Sequence, residues 1–195
     1  EALKFQVHPH FLFNTLGAVS SLVSESEFSK AEEMVRKLAS FLRSGLRRDT
    51  HDDVSLTEEI ADLDVYLGIE RIRFEGRFDF VTSIADDVRD ARLPSFLLQP
   101  IVENSVKYAV AKTSEPVTIT LGAMRVADHI EVTVEDNGPG PSGTPGLGTG
   151  ERNVRDRLTA RFGEAIEFET GGIPGADGNP AGYRVWMRFP YEADR

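Results

Sequence analysis

The chain has 195 residues, 40% of them hydrophobic and 28% charged, so it can bury a core and is not broadly disordered. Its formal net charge of -10 opposes nucleic acid or anionic membrane as a primary partner and requires any nucleotide site to be locally basic. Cysteine is absent, which excludes disulfides, thiolate metal centres and thiol nucleophiles.

From the N-terminus, residues 16–47 carry apolar side chains at helical spacing: Leu16, Val19, Leu22 and Val23, then Met34, Leu38, Phe41, Leu42 and Leu46. Two helices are expected, broken near Ser24–Ser29 and ending in the basic run Arg43, Arg47, Arg48, which suits a helix C-terminus. Residues 49–53 read as a linker. Ser55-Leu56-Thr57-Glu58 has the form of a capping box opening a third helix, whose apolar face is Ile60, Leu63, Leu67, Ile69 and Ile72. Strand patterns follow at 78–84, 117–125, 130–135, 166–168 and 183–189, interrupted by helices at 94–110 and 152–162. That order predicts an α/β sandwich, a mixed sheet with helices on one face, preceded by a helical hairpin. The expected domains are 1–48 and 49–195. Two stretches, 138–150 and 171–182, are too rich in glycine and proline to be regular. The second reads as a hairpin loop; the first is long enough to suggest a functional lid.

Three segments carry polar residues that a core does not need. In Gln99–Tyr108, Glu103 and Lys107 stand at i and i+4, and Asn104 and Tyr108 repeat the spacing, so the four share one side of a helix. The pattern fits either a surface ion pair or a site where an amide oxygen holds Mg²⁺, an ammonium meets phosphate and a carboxylate acts as base. The strand ending at Asp136 runs into Gly138 and Gly140; this is turn chemistry, or an acceptor for an exocyclic amine beside backbone that can approach a flat ring. Gly146, Gly148 and Gly150 directly precede a helix, where free amides and the helix dipole attract anions. A dinucleotide fingerprint is a poor fit, because these glycines come late and do not follow the first strand of a βαβ unit.

In this order the three segments resemble the Bergerat-type ATPase domain shared by histidine kinases, type II topoisomerases, Hsp90 chaperones and mismatch-repair ATPases, over about residues 55–190. The resemblance implies that Glu103, Asn104 and Lys107 form the N box, Asp136, Gly138 and Gly140 the first glycine box, and Gly146, Gly148 and Gly150 the second, with the ATP lid between. The N-terminal segment Gln6-Val7-His8-Pro9-His10-Phe11-Leu12-Phe13-Asn14 is similar to the phosphoacceptor signature of the LytS-like (YehU-like) sensor histidine kinases. Leu98–Asn104 and Arg152–Leu158, which includes Asn153, are similar to that family's boxes.

By that resemblance ATP and Mg²⁺ are the expected cofactors, with Mg²⁺ on Asn104, adenine on Asp136, and phosphates on the glycines, Lys107 and Asn153. The phosphoacceptor is expected to be His10, with Glu103 as general base and Asn14 in a positioning or phosphatase role. His8 lies two residues away, on nearly the opposite face of a helix. A packed helix histidine, or a His8/His10 metal pair, is the plainer reading of the same residues. Expected partners are a second copy through residues 1–48 and the receiver domain of a response regulator, with no nucleic acid. No apolar run approaches the ~20 residues of a membrane span. The chain, opening at Glu1 within a helical pattern, is expected to be a cytoplasmic piece of a longer protein that includes a sensor or membrane segment.

Overall fold

A computed structural model describes residues 9–47, 53–141, 148–175 and 180–193, with side chains placed from residue 11 and, in the second helix, as far as residue 43. Two units emerge, 1–49 with 61–76, and 50–60 with 77–195.

The helical unit begins with α1 (Pro9–Ser24) and α2 (Phe28–Arg47). Pro9 opens α1, where a missing N–H costs nothing and the fixed φ suits the first turn. A three-residue turn with Ser26 at φ 63 joins the helices. Ala31, Met34, Leu38 and Phe41 form the buried stripe of α2, in agreement with the expected periodicity. In α1 the buried positions are Phe11 and Thr15, whereas Leu16 (49%) and Val23 (48%) of the expected apolar face are exposed. Thr15 is accommodated because its hydroxyl donates to the Phe11 carbonyl at 2.9 Å.

The third helix, α3 (Leu56–Arg73), is shared between the units. Its start is the expected capping box: Glu58 Oε2 accepts from the Ser55 N–H at 2.8 Å, and the Glu58 N–H donates to Ser55 Oγ at 3.2 Å. From Ala61 onward it belongs to the helical unit. The reason is aromatic packing. Tyr66 is buried with its ring centroid 5.2 Å from Phe11 and 6.3 Å from Phe41, a closed cluster that the apolar count along α3 does not reveal.

The second unit is built on a five-stranded sheet in the order β2-β4-β5-β7-β6. Its strands are β2 (Phe78–Ile84), β4 (Val117–Val126), β5 (His129–Asp136), β6 (Glu167–Pro174) and β7 (Pro180–Pro190). β2 and β4 are parallel and the other neighbours antiparallel, so the sheet is mixed as expected. Alternation buries Ile119 and Leu121 of β4, Ile130, Val132 and Val134 of β5, and Val185, Met187 and Phe189 of β7. Helices α4 (Gln99–Tyr108) and α5 (Thr149–Phe162) pack on β5, on β7 and on each other. Phe162 of α5 stacks on Phe189 at 5.3 Å.

Three expectations are corrected. The helix predicted over 94–110 is confined to 99–108, because residues 92–94 form β3, which pairs with β1 (Asp53–Ser55). Pairs of three residues are too short to show periodicity. Asp53, read as linker, is the first residue of β1, while residues 49–52 lie outside the described residues. The 171–182 stretch is mostly strand, pairing Gly171 with Arg184 and Gly172 with Tyr183 before a bulge. No helix among the described residues is long and apolar enough to cross a membrane.

Candidate active site

Period-two alternation along β5 sets the first element of the site. Ile130, Val132, Val134 and Asp136 all face inward, so the strand that ends in an acid delivers its carboxylate into the core, 5% exposed. Burial holds the Asp136 carboxyl above the usual carboxylate range. Three donors oppose that shift: the Ser105 hydroxyl, the Gly138 N–H at 3.1 Å and the Tyr183 N–H. An oriented, partly desolvated acceptor results, with each donor from a different element.

Glycines beside it are required by the protein's own packing. A Cβ on Gly138 would lie 2.3 Å from the Ala109 Cβ, so the chain after β5 runs directly against the end of α4. Gly140 has φ +71, and a Cβ there would stand 2.4 Å from Pro180. Gly182, with φ +144, admits the Asp136 carbonyl within 2.1 Å of where its Cβ would be.

The second element is α4, whose start is fixed from outside. Its N-cap, Leu98, has no side-chain cap. Instead the buried Glu59 carboxylate of α3 accepts from the Phe96 and Leu98 N–H groups, both at 2.9 Å, and the Arg157 guanidinium of α5 donates to the Ser95 carbonyl at 2.7 Å. Phe96 sits at φ 57 within this turn. So held, α4 buries Ile101, Val102, Ser105 and Val106, and leaves Glu103 and Asn104 half-buried with Lys107 and Tyr108 exposed. The common polar face expected from the i, i+4 spacing is present. Glu103 is oriented by Gln99, whose amide donates to Oε1 at 2.7 Å, and Lys107 Nζ lies 4.7 Å from the Tyr108 ring centroid.

The third element is the start of α5. Gly148 is its N-cap; a Cβ there would meet nothing within 4 Å. Gly150, two residues into the helix, lies against α4, with Asn104 Nδ2 3.4 Å from its Cβ position. The structure therefore brings Asn104 and Gly150 together, and places Asp136 beside Ser105 of the same α4. Asn153 is exposed on α5. Gly146 and most of the expected lid, residues 142–147, lie outside the described residues. Among the described residues no cluster of three His, Cys, Asp or Glu could hold a metal ion.

In the helical unit His10 is the second residue of α1 and Asn14 follows one turn later, half-buried. Sequence reasoning missed Ser105, Glu59 and Tyr183. Their signal is faint: a small polar residue among apolar ones in α4, and an acid and a phenol at unremarked positions of α3 and β7.

The geometry agrees with comparisons to known proteins. Residues 89–193 match the family described as histidine kinase-, DNA gyrase B-, and HSP90-like ATPase, and residues 1–78 the family described as histidine kinase. The chain is 36% identical to the sensor histidine kinase YesM of Bacillus subtilis, over 84% of this chain and 29% of that protein. It is 30% identical to the sensor histidine kinase/phosphatase LytS of Staphylococcus aureus, over 98% of this chain and 34% of that protein. The chain thus spans about a third of the length of the curated relatives it matches. A solved structure of histidine kinase ThkA, in complex with the response regulator protein TrrA, is similar in fold, with TM-score 0.50 and 14% identity over 94% of this chain and 60% of that one. An ATPase domain with this layout places the chain in the family of histidine kinase-, DNA gyrase B- and HSP90-like ATPases, and the curated relatives named above are sensor histidine kinases.

Proposed function

We propose that this chain is the autophosphorylating core of a two-component sensor. An imidazole nitrogen of His10 attacks the γ-phosphorus of ATP, the bond from that phosphorus to the β,γ-bridging oxygen breaks, and ADP leaves. Glu103, oriented by Gln99, takes the imidazole proton. Phosphohistidine then gives the phosphoryl group to an aspartate of a response-regulator receiver domain.

The observation that carries the reading is the convergence of an oriented buried acceptor, Asp136, with a helix N-terminus lined by Asn104 and Gly150. Asp136 accepts from the adenine amine, while the open backbone at Gly148, the glycine at 150 and the dipole of α5 receive phosphates. Lys107 and Asn153 add a cation and an amide at the phosphate end. Mg²⁺ would be held by the Asn104 amide oxygen together with the oxygens of the phosphates, the kind of role an asparagine has in protein kinases. Mg²⁺ supplies neutralisation of developing charge on the phosphates.

The exposed Phe13 (71%) and Leu16 (49%) of α1 support pairing of two copies through the helices of residues 1–48. The chain's place of action is the cytoplasm, where ATP and receiver domains are found.

Incubation with γ-labelled ATP tests the reading. Acid-labile, base-stable label is expected on the wild type and none on His10→Gln, with transfer from the wild type to an added receiver domain. Label on serine, or label persisting in His10→Gln, overturns it.

A further inference from the structure

Where α5 begins, the protein already holds an anion of its own. Glu151, third residue of the helix, is 5% exposed, and its Oε2 accepts the Gly148 N–H at 3.2 Å. The Tyr183 phenol is bonded to this carboxylate and to the Thr170 side chain, and burial first, then the Glu151 and Asp136 charges, hold it above the usual phenol range. It therefore stays protonated and donates to Glu151. The backbone N–H of the same tyrosine donates to Asp136. One residue of β7 thus ties together the carboxylate at the base end of the site and the carboxylate at its phosphate end.

A helix N-terminus favours an anion through its free N–H groups and its dipole. Here a side chain has taken one of those groups and added a full negative charge in a setting with little water. An incoming phosphate meets that charge and competes for the Gly148 amide. A nucleoside without phosphates meets neither obstacle.

We infer that Glu151, held by Tyr183, is a selectivity residue of the nucleotide site: an internal anion at the start of α5 that weakens phosphate binding and must release Gly148 when the triphosphate docks. The inference rests on the nucleotide-site reading above. Its physical content is a like-charge term that grows with the phosphate count and is moderated by the Tyr183 proton. For charges several ångströms apart at the effective dielectric of a partly buried site, the effect is on the order of tenfold in affinity.

Calorimetric titration with adenosine, ADP and ATP in the presence of Mg²⁺ separates this from a structural role. Glu151→Gln keeps the shape and an oxygen that can accept from Gly148 and Tyr183. It should tighten ATP by roughly tenfold, ADP by less, and leave adenosine within about twofold. Tyr183→Phe, which removes the proton shielding the carboxylate, should weaken ATP several-fold and spare adenosine. The double variant should behave like Glu151→Gln alone, because the phenol acts through the carboxylate.

Opposite signs for the two single variants are the signature, since a loss of packing would move both the same way. If Glu151→Gln leaves ATP unchanged or weaker, or if both variants shift adenosine as much as ATP, the inference is wrong while the nucleotide site stands. If wild-type protein binds neither adenosine nor ATP, both readings fall.

Discussion

The Asn104 side-chain amide stands against Gly150 so closely that its Nδ2 would be 3.4 Å from a Cβ at that position. One methyl group fits at the edge of ordinary contact; a branched side chain does not. Gly150→Ala should therefore fold normally and weaken ATP by no more than a few-fold, whereas Gly150→Val should displace Asn104 and reduce His10 labelling by roughly a hundredfold. Comparable labelling rates for the two variants would show that this contact does not position the phosphate end of the site.

For Asp136, burial raises the carboxyl and the Ser105 hydroxyl opposes the rise. A carboxyl whose folded value lies above its unfolded one adds stability that is fully present below the unfolded value and is lost as pH rises through the folded one. Adenine binding runs the other way, since it uses the ionised acceptor, so ATP affinity should fall as pH drops through the raised value. Ser105→Ala should move that fall to higher pH. Asp136→Asn should weaken ATP by roughly tenfold or more and GTP by much less. Affinity profiles against pH for wild type and Ser105→Ala provide the check; coincident profiles would exclude the serine as a modulator.

Gly138 and Gly182 are constrained by neighbouring atoms of the protein itself. A Cβ would overlap the Ala109 Cβ at 2.3 Å in the first case and the Asp136 carbonyl at 2.1 Å in the second, where φ +144 adds backbone strain. Alanine at either position should cost about 1–3 kcal/mol, read as a lower thermal midpoint without nucleotide. An unchanged midpoint would mean that the end of α4 and the edge of the site yield easily.

On α1 the exposed Phe13 and Leu16 are expected to lie in the contact between copies. Leu16→Asp should shift the protein from dimer to monomer in sedimentation at micromolar concentration while the helical content stays the same. Persistence of the dimer would place the contact elsewhere.

Asn14 follows His10 by one helical turn and is expected to act after autophosphorylation, orienting water toward a receiver phosphoaspartate. Asn14→Ala should leave His10 labelling within about twofold and slow stimulated dephosphorylation of the receiver by roughly tenfold. Loss of the labelling itself would assign the residue to the kinase step instead.

Local chemistry made much of this protein legible in its sequence. The Ser55–Glu58 capping box and the i, i+4 polar face of α4 are both set by bonding and periodicity within a few residues. They appear in the structure as the sequence implies. Contacts between distant segments were not legible. Glu59 caps α4 from 39 positions away, and Tyr66 completes a cluster begun by Phe11. The glycines after β5 are explained by Ala109 and Pro180 rather than by a ligand alone. Likewise nothing in the order Gly148-Thr149-Gly150-Glu151 reveals that the acid is buried beneath Tyr183. Periodicity reports which face of an element turns inward, but which neighbour covers that face, and which polar group satisfies its exposed amides, is decided only when strands and helices far apart in the chain pack together.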